Sequence, residues 1–356
     1  MLYYIATYFM EFFGPARLLR SYAVLITLAL YAGFVITYFF LPKFYKYLPS
    51  DRGREFTLNA EAAKGKPTGS GVVFITFFVL LVFLFAPLHK VQIAVLVLTW
   101  ITMLTGFLDD RSITSWSDYK KGFYDLLICL AAAFALYFFN DKVQSGSPLQ
   151  FWLPFISKPI TIAPWLFISL STILLWTSIN TTNCTDGVDG LSSTLVLIAL
   201  LTMGITFYFI LGHKEISAYL LVPHLYDGAA WAVMTFALSG VLMGYLWHNA
   251  FPSKVLMGDA GSRALGFYIG VCVIVSGNPF LILATSSIIL VNGGMGLLKV
   301  FLLRFFKIHI FEKIRFPLHD HMRKTRLWSP TQVLVKFMIL QILITIAMIG
   351  LMFKVR

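Results

Sequence analysis

Charged residues are scarce in this sequence. Only 12% of its 356 residues are Asp, Glu, Lys or Arg and 58% are hydrophobic, whereas roughly 25% of the residues in a soluble domain are charged. This composition excludes an ordinary soluble protein and predicts a polytopic membrane protein. The chain also has only three cysteines, Cys129, Cys184 and Cys272, and their spacing supports neither a disulfide framework nor a Cys-based zinc site.

The sequence contains many long apolar segments. A helix needs about 20 apolar residues to cross the hydrocarbon core of a bilayer, and ten segments approach this length. We therefore expect an all-α polytopic membrane protein with about ten transmembrane helices. No polar linker separates a second unit, so residues 1–356 are expected to form a single integral membrane domain. The predicted helices lie near residues 21–41, 71–87, 91–108, 122–139, 164–180, 190–211, 229–247, 263–276, 279–303 and 333–353.

Shorter features interrupt this pattern. The ninth predicted helix contains Gly293, Gly294 and Gly296, and each glycine weakens a helix by about 1 kcal/mol. We expect the helix to be broken at this cluster and to continue as a bent helix along the bilayer. The loop 140–163 predicts a small hairpin on the outer face, and residues 213–224 predict a short helix there.

The distribution of Lys and Arg predicts the orientation. The loops that follow odd-numbered helices contain more than twice as many Lys and Arg as the opposite loops and termini, and basic loops are retained in the cytoplasm. This retention, together with anionic lipid headgroups, explains the net charge of +12 without nucleic-acid binding. Every acidic motif described below falls on the predicted cytoplasmic face.

Two adjacent carboxylates end the third predicted helix. Asp109 and Asp110 follow Gly106-Phe107-Leu108, and a charge near the bilayer core costs several kcal/mol unless it is paired or hydrated. Successive side chains on a helix diverge by about 100°, so the two carboxylates are expected to have different roles. A solvated helix end is the structural alternative.

A polar segment separates the fifth and sixth predicted helices. It has no Lys or Arg and many short oxygen-bearing side chains, which favours a bound cation or polar ligand over a simple turn. Asp186 and Asp189 would share a face if the segment were helical. The segment reads Asn180-Thr181-Thr182-Asn183-Cys184-Thr185-Asp186-Gly187-Val188-Asp189-Gly190.

Residues 247–262 bring a further carboxylate, Asp259, to the same face. Mg²⁺ commonly binds one or two carboxylates together with substrate phosphates, so Asp259 is a candidate metal ligand, and capping of the eighth helix is the alternative. Zinc is not favoured, because His319-Asp320-His321 is the only closely spaced pair of histidines.

Two other cytoplasmic segments contain groups suited to phosphate. Lys64 and Lys66 precede Thr68 in a glycine-rich turn that is not a P-loop, and ordinary positive-inside flanking is the alternative. His319 and His321 lie in the last cytoplasmic loop. A histidine there would orient a diphosphate or stabilise its charge, and surface histidines without a role are the alternative.

Together the motifs resemble the polyprenyl-phosphate N-acetylhexosamine-1-phosphate transferases, and among them most closely the phospho-N-acetylmuramoyl-pentapeptide transferases. The resemblance extends from about Lys64 to the last helix. It rests on Lys64…Pro67-Thr68…Gly71, Gly106-Phe107-Leu108-Asp109-Asp110, Asn180…Asn183…Thr185-Asp186-Gly187…Asp189-Gly190-Leu191, Asn249…Lys254…Met257-Gly258-Asp259…Gly261-Ser262 and Pro317-Leu318-His319…His321.

The resemblance implies a ten-helix, dimeric, Mg²⁺-dependent enzyme of the bacterial cytoplasmic membrane. Such enzymes transfer phospho-MurNAc-pentapeptide from UDP-MurNAc-pentapeptide to undecaprenyl phosphate, which yields lipid I and UMP in peptidoglycan synthesis. Asp109, Asp110, Asp259 and His319 would be catalytic, with Asp259 as the metal ligand and Asp109 as the favoured base; a route through an aspartyl-phosphate is the alternative. The substrate would contact Lys64, Thr68, Asn180, Asn183, Asp186, Gly187, Val188, Asp189, Asn249, Leu256 and His321.

The chain departs from the family pattern at three positions. Asp320 replaces the middle of three consecutive histidines, and Arg323 replaces a glutamate. Ile113 stands where the family often has a lysine, so Lys120 or Lys121 is expected to supply that charge.

Two other functions are the alternatives. A transferase of GlcNAc-1-phosphate would share the aspartates and the metal and would differ mainly in the His-containing loop. An ion-coupled transporter would have its carboxylates near the bilayer midplane, whereas Asp125 is the only acidic residue within the predicted helices.

Overall fold

The computed structural model of the protein describes residues 1–53, 63–156 and 158–354. The chain is predominantly helical, and a helix coincides with each of the ten predicted transmembrane segments. The helices are α1 (Leu2–Phe9), α2 (Tyr22–Phe44), α3 (Gly71–Phe85), α4 (Lys90–Arg111), α5 (Asp118–Phe138), α6 (Asp141–Gln144), α7 (Pro164–Thr185), α8 (Leu191–Ile205), α9 (Lys214–Tyr219), α10 (Gly228–Asn249), α11 (Gly258–Val275), α12 (Leu281–Ile289), α13 (Met295–Phe301), α14 (Leu318–Thr325) and α15 (Pro330–Lys354).

Eight helical segments in the described part of the chain are long and apolar enough to cross a membrane. They confirm an all-α polytopic membrane protein. The other two predicted spans are the helices α3 and α7: α3 has only 15 residues, and the second half of α7 is rich in Ser, Thr and Asn. The eight segments are Tyr22–Tyr47, Lys90–Arg111, Asp118–Phe138, Leu191–Leu211, Gly228–Asn249, Gly258–Val275, Leu281–Phe306 and Pro330–Phe353.

Helix α11 lies at the centre of the bundle. Every residue from position 258 to 274 is buried, and the helix packs against α3, α4, α7 and α8. The helix is therefore surrounded by protein rather than lipid. This position explains why a helix with Asp259 and Arg263 in its first two turns is tolerated within an apolar bundle.

Among the described residues, the most extensive contact between two helices joins α2 and α10. This contact depends on small residues. Gly33 in α2 and Gly240 and Gly244 in α10 lie at this interface, where a methyl group on Gly240 would overlap the backbone carbonyl of Leu30. The absence of a side chain therefore lets the two backbones touch, as is common between membrane helices.

The predicted hairpin and short helix are both present. Strands β1 (Gln150–Phe151) and β2 (Ile160–Thr161) pair in antiparallel fashion, with Gln150 opposite Thr161. The hairpin is fastened to the end of α11, because the Trp152 indole N–H donates to the carbonyl of Ser276 at 2.7 Å. Helix α9 (Lys214–Tyr219) is the short helix expected between residues 213 and 224.

The ninth predicted helix is not interrupted at the glycine cluster: it continues through the cluster with a changed helical geometry. Residues Leu290–Gly294 form a π-helical segment between α12 and α13, and non-helical torsions occur earlier, at Ser286. A methyl group on Gly293 would overlap the carbonyl of Thr181. The glycines therefore also allow this segment to pack closely against α7.

We predict that Gly240→Ala lowers the melting temperature of the detergent-solubilised protein by several degrees, because the added methyl group would push α2 and α10 apart. Gly350→Ala is the control, since Gly350 is also within a helix but has open space around its Cα. Alanine favours a helix by about 1 kcal/mol over glycine, so the control is expected to retain or raise the melting temperature. An unchanged melting temperature in Gly240→Ala would contradict the close contact.

Candidate active site

The sequence motifs meet at one end of the helical bundle. Asp110, at the end of α4, contacts the start of α11, and the start of α3 is joined to the same region by the Gly71 N–H, which donates to the carbonyl of Met257. Asn249, at the end of α10, is bonded to Gly190 at the start of α8. The prediction that these motifs share one face of the protein agrees with this arrangement.

Asp110 caps helix α11. Its Oδ1 accepts a hydrogen bond from the Asp259 N–H at 3.0 Å, and its Oδ2 accepts one from the Ala260 N–H at 3.0 Å. The helix begins at Gly258 with a positive φ of 66°, and a methyl group there would overlap the Asp110 carboxylate. A carboxylate on a helix N-terminus is stabilised by the unpaired N–H groups and by the helix dipole. The cap of this helix is therefore supplied by α4, and Asp259 remains available for another role.

Asp109 and Asp259 share one cation. The Lys121 ammonium lies 2.5 Å from Asp109 Oδ2 and 3.0 Å from Asp259 Oδ2. Both carboxylates are buried, with 6% and 4% of their surface exposed, so this pairing compensates for their desolvation. The other oxygen of Asp109 accepts a hydrogen bond from the backbone N–H of Trp116 at 2.7 Å.

Of the two candidate lysines, Lys121 is the one that contacts the carboxylates. It lies in the first turn of α5, beside the carboxylates. The Lys120 ammonium lies instead over the ring of Trp116, 3.8 Å from its centroid. The two lysines therefore have different partners although they are adjacent, because successive side chains on a helix point about 100° apart.

The donor set fits a metal ion that the substrate would help to hold. Two carboxylate oxygens, on Asp109 and Asp259, already lie within 3.0 Å of one cationic group. Among the residues that the structure describes, no group of three His, Cys, Asp or Glu side chains is suited to a metal. Mg²⁺ bound by one or two carboxylates and by substrate phosphates matches this arrangement, whereas a site made entirely of protein ligands does not.

The end of α7 lines the same region. The Ser262 hydroxyl donates to Asn183 Oδ1 at 3.0 Å, and Ser262 lies about one helical turn from Asp259. Asn180 donates to the carbonyl of Trp176 at 2.9 Å, and its side chain lies close to Asp125. The predicted substrate residue Asn183 is thus held close to the carboxylates. Asn180 lies farther from them, next to Asp125.

The segment from Asp186 to Gly190 is a loop rather than a helix, so the condition under which Asp186 and Asp189 would share a face is not met. Asp189 Oδ2 accepts a hydrogen bond from the Ser253 N–H at 3.0 Å. Lys66 donates to the Ser253 hydroxyl at 3.0 Å and lies 3.9 Å from Asp189. Lys66, rather than the exposed Lys64, therefore joins the turn before α3 to this loop.

The predicted uridine-binding residues adjoin this loop. The Asn249 side chain is buried and bonded at both ends of its amide: its Oδ1 accepts from the Gly190 N–H at 2.9 Å and its Nδ2 donates to the carbonyl of Val255 at 2.9 Å. Leu256 is half-buried, and its N–H donates to the carbonyl of Pro67. Val188 and Thr68 are buried as well. This network holds three loops together.

His319 is buried against the loop from Asp186 to Gly190. Its Nδ1 lies 3.1 Å from the Asn292 amide nitrogen, and its Nε2 lies against Gly187. Burial, and secondarily the charge of Arg323, lowers the pKa of His319 to about 3. At neutral pH the imidazole is therefore uncharged, which favours a role in orientation over one in charge stabilisation. His321 lies nearby and accepts a hydrogen bond from the Arg315 N–H at 3.3 Å.

Sequence reasoning missed several residues of the site. Trp116 orients Asp109, Ser262 holds Asn183, and Asn292 holds His319. Ser262 follows Asp259 by three residues, and this spacing was a usable signal because such residues share a helix face. Arg263, the first residue of the eighth predicted helix, had no predicted partner; it is buried in α11, with 1% of its surface exposed, and it pairs with Asp125.

We predict that protonation of His319 makes the protein less stable in acid. The unfolded histidine binds a proton below pH 6.5 and the folded one only near pH 3, so stability is lost as the pH falls below about 6.5. At pH 5 the loss is about 2 kcal/mol. The melting temperature of His319→Gln is expected to fall less between pH 8 and pH 5 than that of wild type. His224→Gln, at an exposed site, is the control, and equal pH dependence in wild type and His319→Gln would contradict the prediction.

Comparisons with known proteins agree with this geometry. Residues 92–277 match the model of a family described as glycosyl transferase family 4. The phospho-N-acetylmuramoyl-pentapeptide-transferase of Treponema pallidum (strain Nichols) is 56% identical over 354 residues, which cover 99% of this chain and 96% of that protein. The enzyme of the same name from Campylobacter hominis is 29% identical over 353 residues, with 95% and 97% covered. The chain therefore belongs to glycosyl transferase family 4, together with these phospho-N-acetylmuramoyl-pentapeptide transferases.

Proposed function

We propose that the protein transfers phospho-MurNAc-pentapeptide from UDP-MurNAc-pentapeptide to undecaprenyl phosphate and so forms lipid I and UMP. The observation that carries the proposal is the pair of buried carboxylates, Asp109 and Asp259, that face one cation at the end of the bundle. The substrates follow from the relatives, since the chain is 56% identical to transferases of that name over nearly its whole length.

The geometry suits phosphoryl transfer between two anions. The oxygen of the lipid phosphate would form a bond to the sugar-linked phosphorus, and the bond from that phosphorus to UMP would break. Such reactions depend mainly on positioning and on neutralisation of negative charge. Lys121 brings a positive charge between the carboxylates, and Mg²⁺ held by Asp259 would neutralise the diphosphate and the departing UMP.

The three aspartates take separate roles in this proposal. Asp259 binds the metal. Asp109 orients the attacking phosphate or accepts its proton, because its Oδ2 lies in the same ion-pair cluster and its Oδ1 is fixed by Trp116. Asp110 positions Asp259 through the helix cap. This division supports the expectation that the adjacent carboxylates differ in function.

The remaining predicted residues surround the nucleotide and the diphosphate. Asp186, Gly187 and Val188 form the loop against which uridine would bind, and His319 lies directly behind Gly187. The amide of Asn249 is already bonded to protein groups, so we propose that it shapes this loop and leaves recognition to neighbouring backbone groups. Lys64 is exposed and would reach the substrate from the edge.

We also propose a place for this reaction in the cell. The site would face the cytoplasm from the bacterial cytoplasmic membrane, where a soluble nucleotide and a lipid headgroup both reach it. The ninth predicted transmembrane helix exposes Phe301, Phe305 and Phe306, which offer an apolar surface to a prenyl chain. We expect a homodimer, and the weakly buried α15 leaves an apolar face for a second copy.

Transfer of GlcNAc-1-phosphate is the second candidate. The segment His319-Asp320-His321 in α14 departs from the family pattern, and we propose that this segment recognises the sugar. We predict that detergent-solubilised protein with Mg²⁺ and undecaprenyl phosphate releases UMP and forms a lipid product with UDP-MurNAc-pentapeptide. UDP-GlcNAc is expected to give neither product. UMP from UDP-GlcNAc alone would overturn the proposed substrate, and UMP from neither donor would overturn the proposed function.

Variants of the ion-pair cluster test the proposed roles. Asp109→Asn, Asp259→Asn and Lys121→Met are each expected to lower the rate of UMP release by about 100-fold or more, since each removes a preorganised charge. Lys120→Met removes a neighbouring charge that lies over Trp116, and it is expected to retain most of the activity. Melting temperatures measured in parallel identify variants that fail to fold. Near-normal turnover in a folded Asp109→Asn variant would exclude Asp109 as the base.

A further inference from the structure

Behind the proposed catalytic cluster lies a second ion pair between the same two helices. Lys121 of α5 contacts Asp259 of α11 at 3.0 Å. Asp125 of α5 contacts Arg263 of α11 at 2.5 Å. Each pair lies four residues from the other on both helices, so the pairs are stacked one helical turn apart. Their polarity is reversed: α5 supplies the cation in the first pair and the anion in the second.

Stability does not explain the second pair. Asp125 and Arg263 are each 1% exposed, and the desolvation of two buried ions often exceeds their attraction, so that apolar residues of similar volume are equally or more stable. Two nitrogens of Arg263, Nε and Nη1, also have no hydrogen-bond partner among the described residues. An incompletely satisfied buried pair is a poor means of holding two helices together, which points to another role.

The location of α5 indicates what this role is. The backbone of α5 packs mainly against α4 and α7, whereas both ion pairs extend from it to α11. Rotation of α5 about its own axis would move Lys121 away from the carboxylates, and the side chain of Asp125 opposes that rotation one turn farther along. Asn180 of α7 also lies close to Asp125, so Asp125 has neighbours on two helices.

We propose that Asp125 and Arg263 are positioning residues for the catalytic cluster. Their pair sets the rotation of α5 relative to α11 and thereby holds the Lys121 ammonium between Asp109 and Asp259. The reversed polarity contributes as well, because each helix then has opposite charges at i and i+4, Lys121 with Asp125 and Asp259 with Arg263, which attract one another. The proposal rests on the proposed function for its catalytic consequence, but the placement of Lys121 is independent of it.

Two double variants test the proposal, because single variants such as Asp125→Ala would leave a buried unpaired charge and are expected to prevent stable folding. Asp125→Leu/Arg263→Met replaces the pair by apolar side chains. Asp125→Arg/Arg263→Asp retains an ion pair but places like charges next to Lys121 and Asp259. The exchanged variant tests the contribution of polarity, because an ion pair that acted without regard to its neighbours would hold Lys121 as well in either orientation.

The first measurement is the rate at which Lys121 is labelled by reductive methylation in the solubilised protein, followed by mass spectrometry of the peptide. Lys120, in the same peptide, is the internal reference. We expect both double variants to fold, which their melting temperatures check, and to label Lys121 about tenfold faster relative to Lys120. Labelling at the wild-type ratio in both variants would overturn the proposal. This result needs no substrate, so it stands even where the proposed function fails.

The second measurement is steady-state turnover with UDP-MurNAc-pentapeptide and undecaprenyl phosphate. Displacement of a catalytic group by about 1 Å can cost roughly 100-fold in rate. We expect kcat to fall by about 10- to 100-fold in both double variants, while the KM for the nucleotide substrate stays within about twofold of wild type. Wild-type kcat in both double variants would overturn the positioning role.

Discussion

The arrangement of the site depends on the contact between the end of α4 and the start of α11. Asp110 accepts hydrogen bonds from two consecutive N–H groups of α11, and these groups would otherwise be unpaired at the helix start. The bond requires Gly258, whose positive φ and missing side chain make room for the carboxylate. Because α11 is surrounded by other helices, the cap fixes Asp259 relative to Asp109, the residue before Asp110.

The second constraint is the balance of charge in an apolar environment. Each buried carboxylate near the site has a cationic partner: Asp109 and Asp259 share Lys121, and Asp125 pairs with Arg263. Isolated charges at this depth would cost several kcal/mol each. Two carboxylates that share one ammonium still carry a net negative charge, and that excess favours an additional cation. In the proposed reaction, a divalent ion would outweigh this surplus and leave a net positive charge that complements the phosphates of the substrate.

The sequence was sufficient to predict the membrane fold and the end of the bundle at which the acidic residues meet, because both follow from the positions where apolar segments stop. Asp109, Asp110 and Asp259 each lie at such a position, and the structure brings them together. The side-chain partners were not predictable in the same way. The choice between Lys120 and Lys121 depends on the direction of α5, and the burial of Arg263 depends on a helix that starts at Gly258, earlier than its apolar stretch. The engagement of the Asn249 amide and the contact of Asn292 with His319 join residues 59 and 27 positions apart, and no local pattern encodes such distances.

Lys121 and Arg263 each pair with a carboxylate across the contact between α5 and α11. The chemistry of the two side chains explains why lysine suits the catalytic cluster and arginine suits the ion pair one helical turn away. An ammonium is a compact charge with three donors on a flexible stem, so Lys121 can contact Asp109 and Asp259 and still donate to a substrate phosphate. A guanidinium has a rigid planar set of donors that favours one fixed partner, as Arg263 has in Asp125. In the proposed reaction the charge around the diphosphate changes as the bond to UMP breaks. The ammonium, held between the two carboxylates, would donate its third N–H to that charge, while the buried guanidinium one turn farther from the site keeps the helix in place.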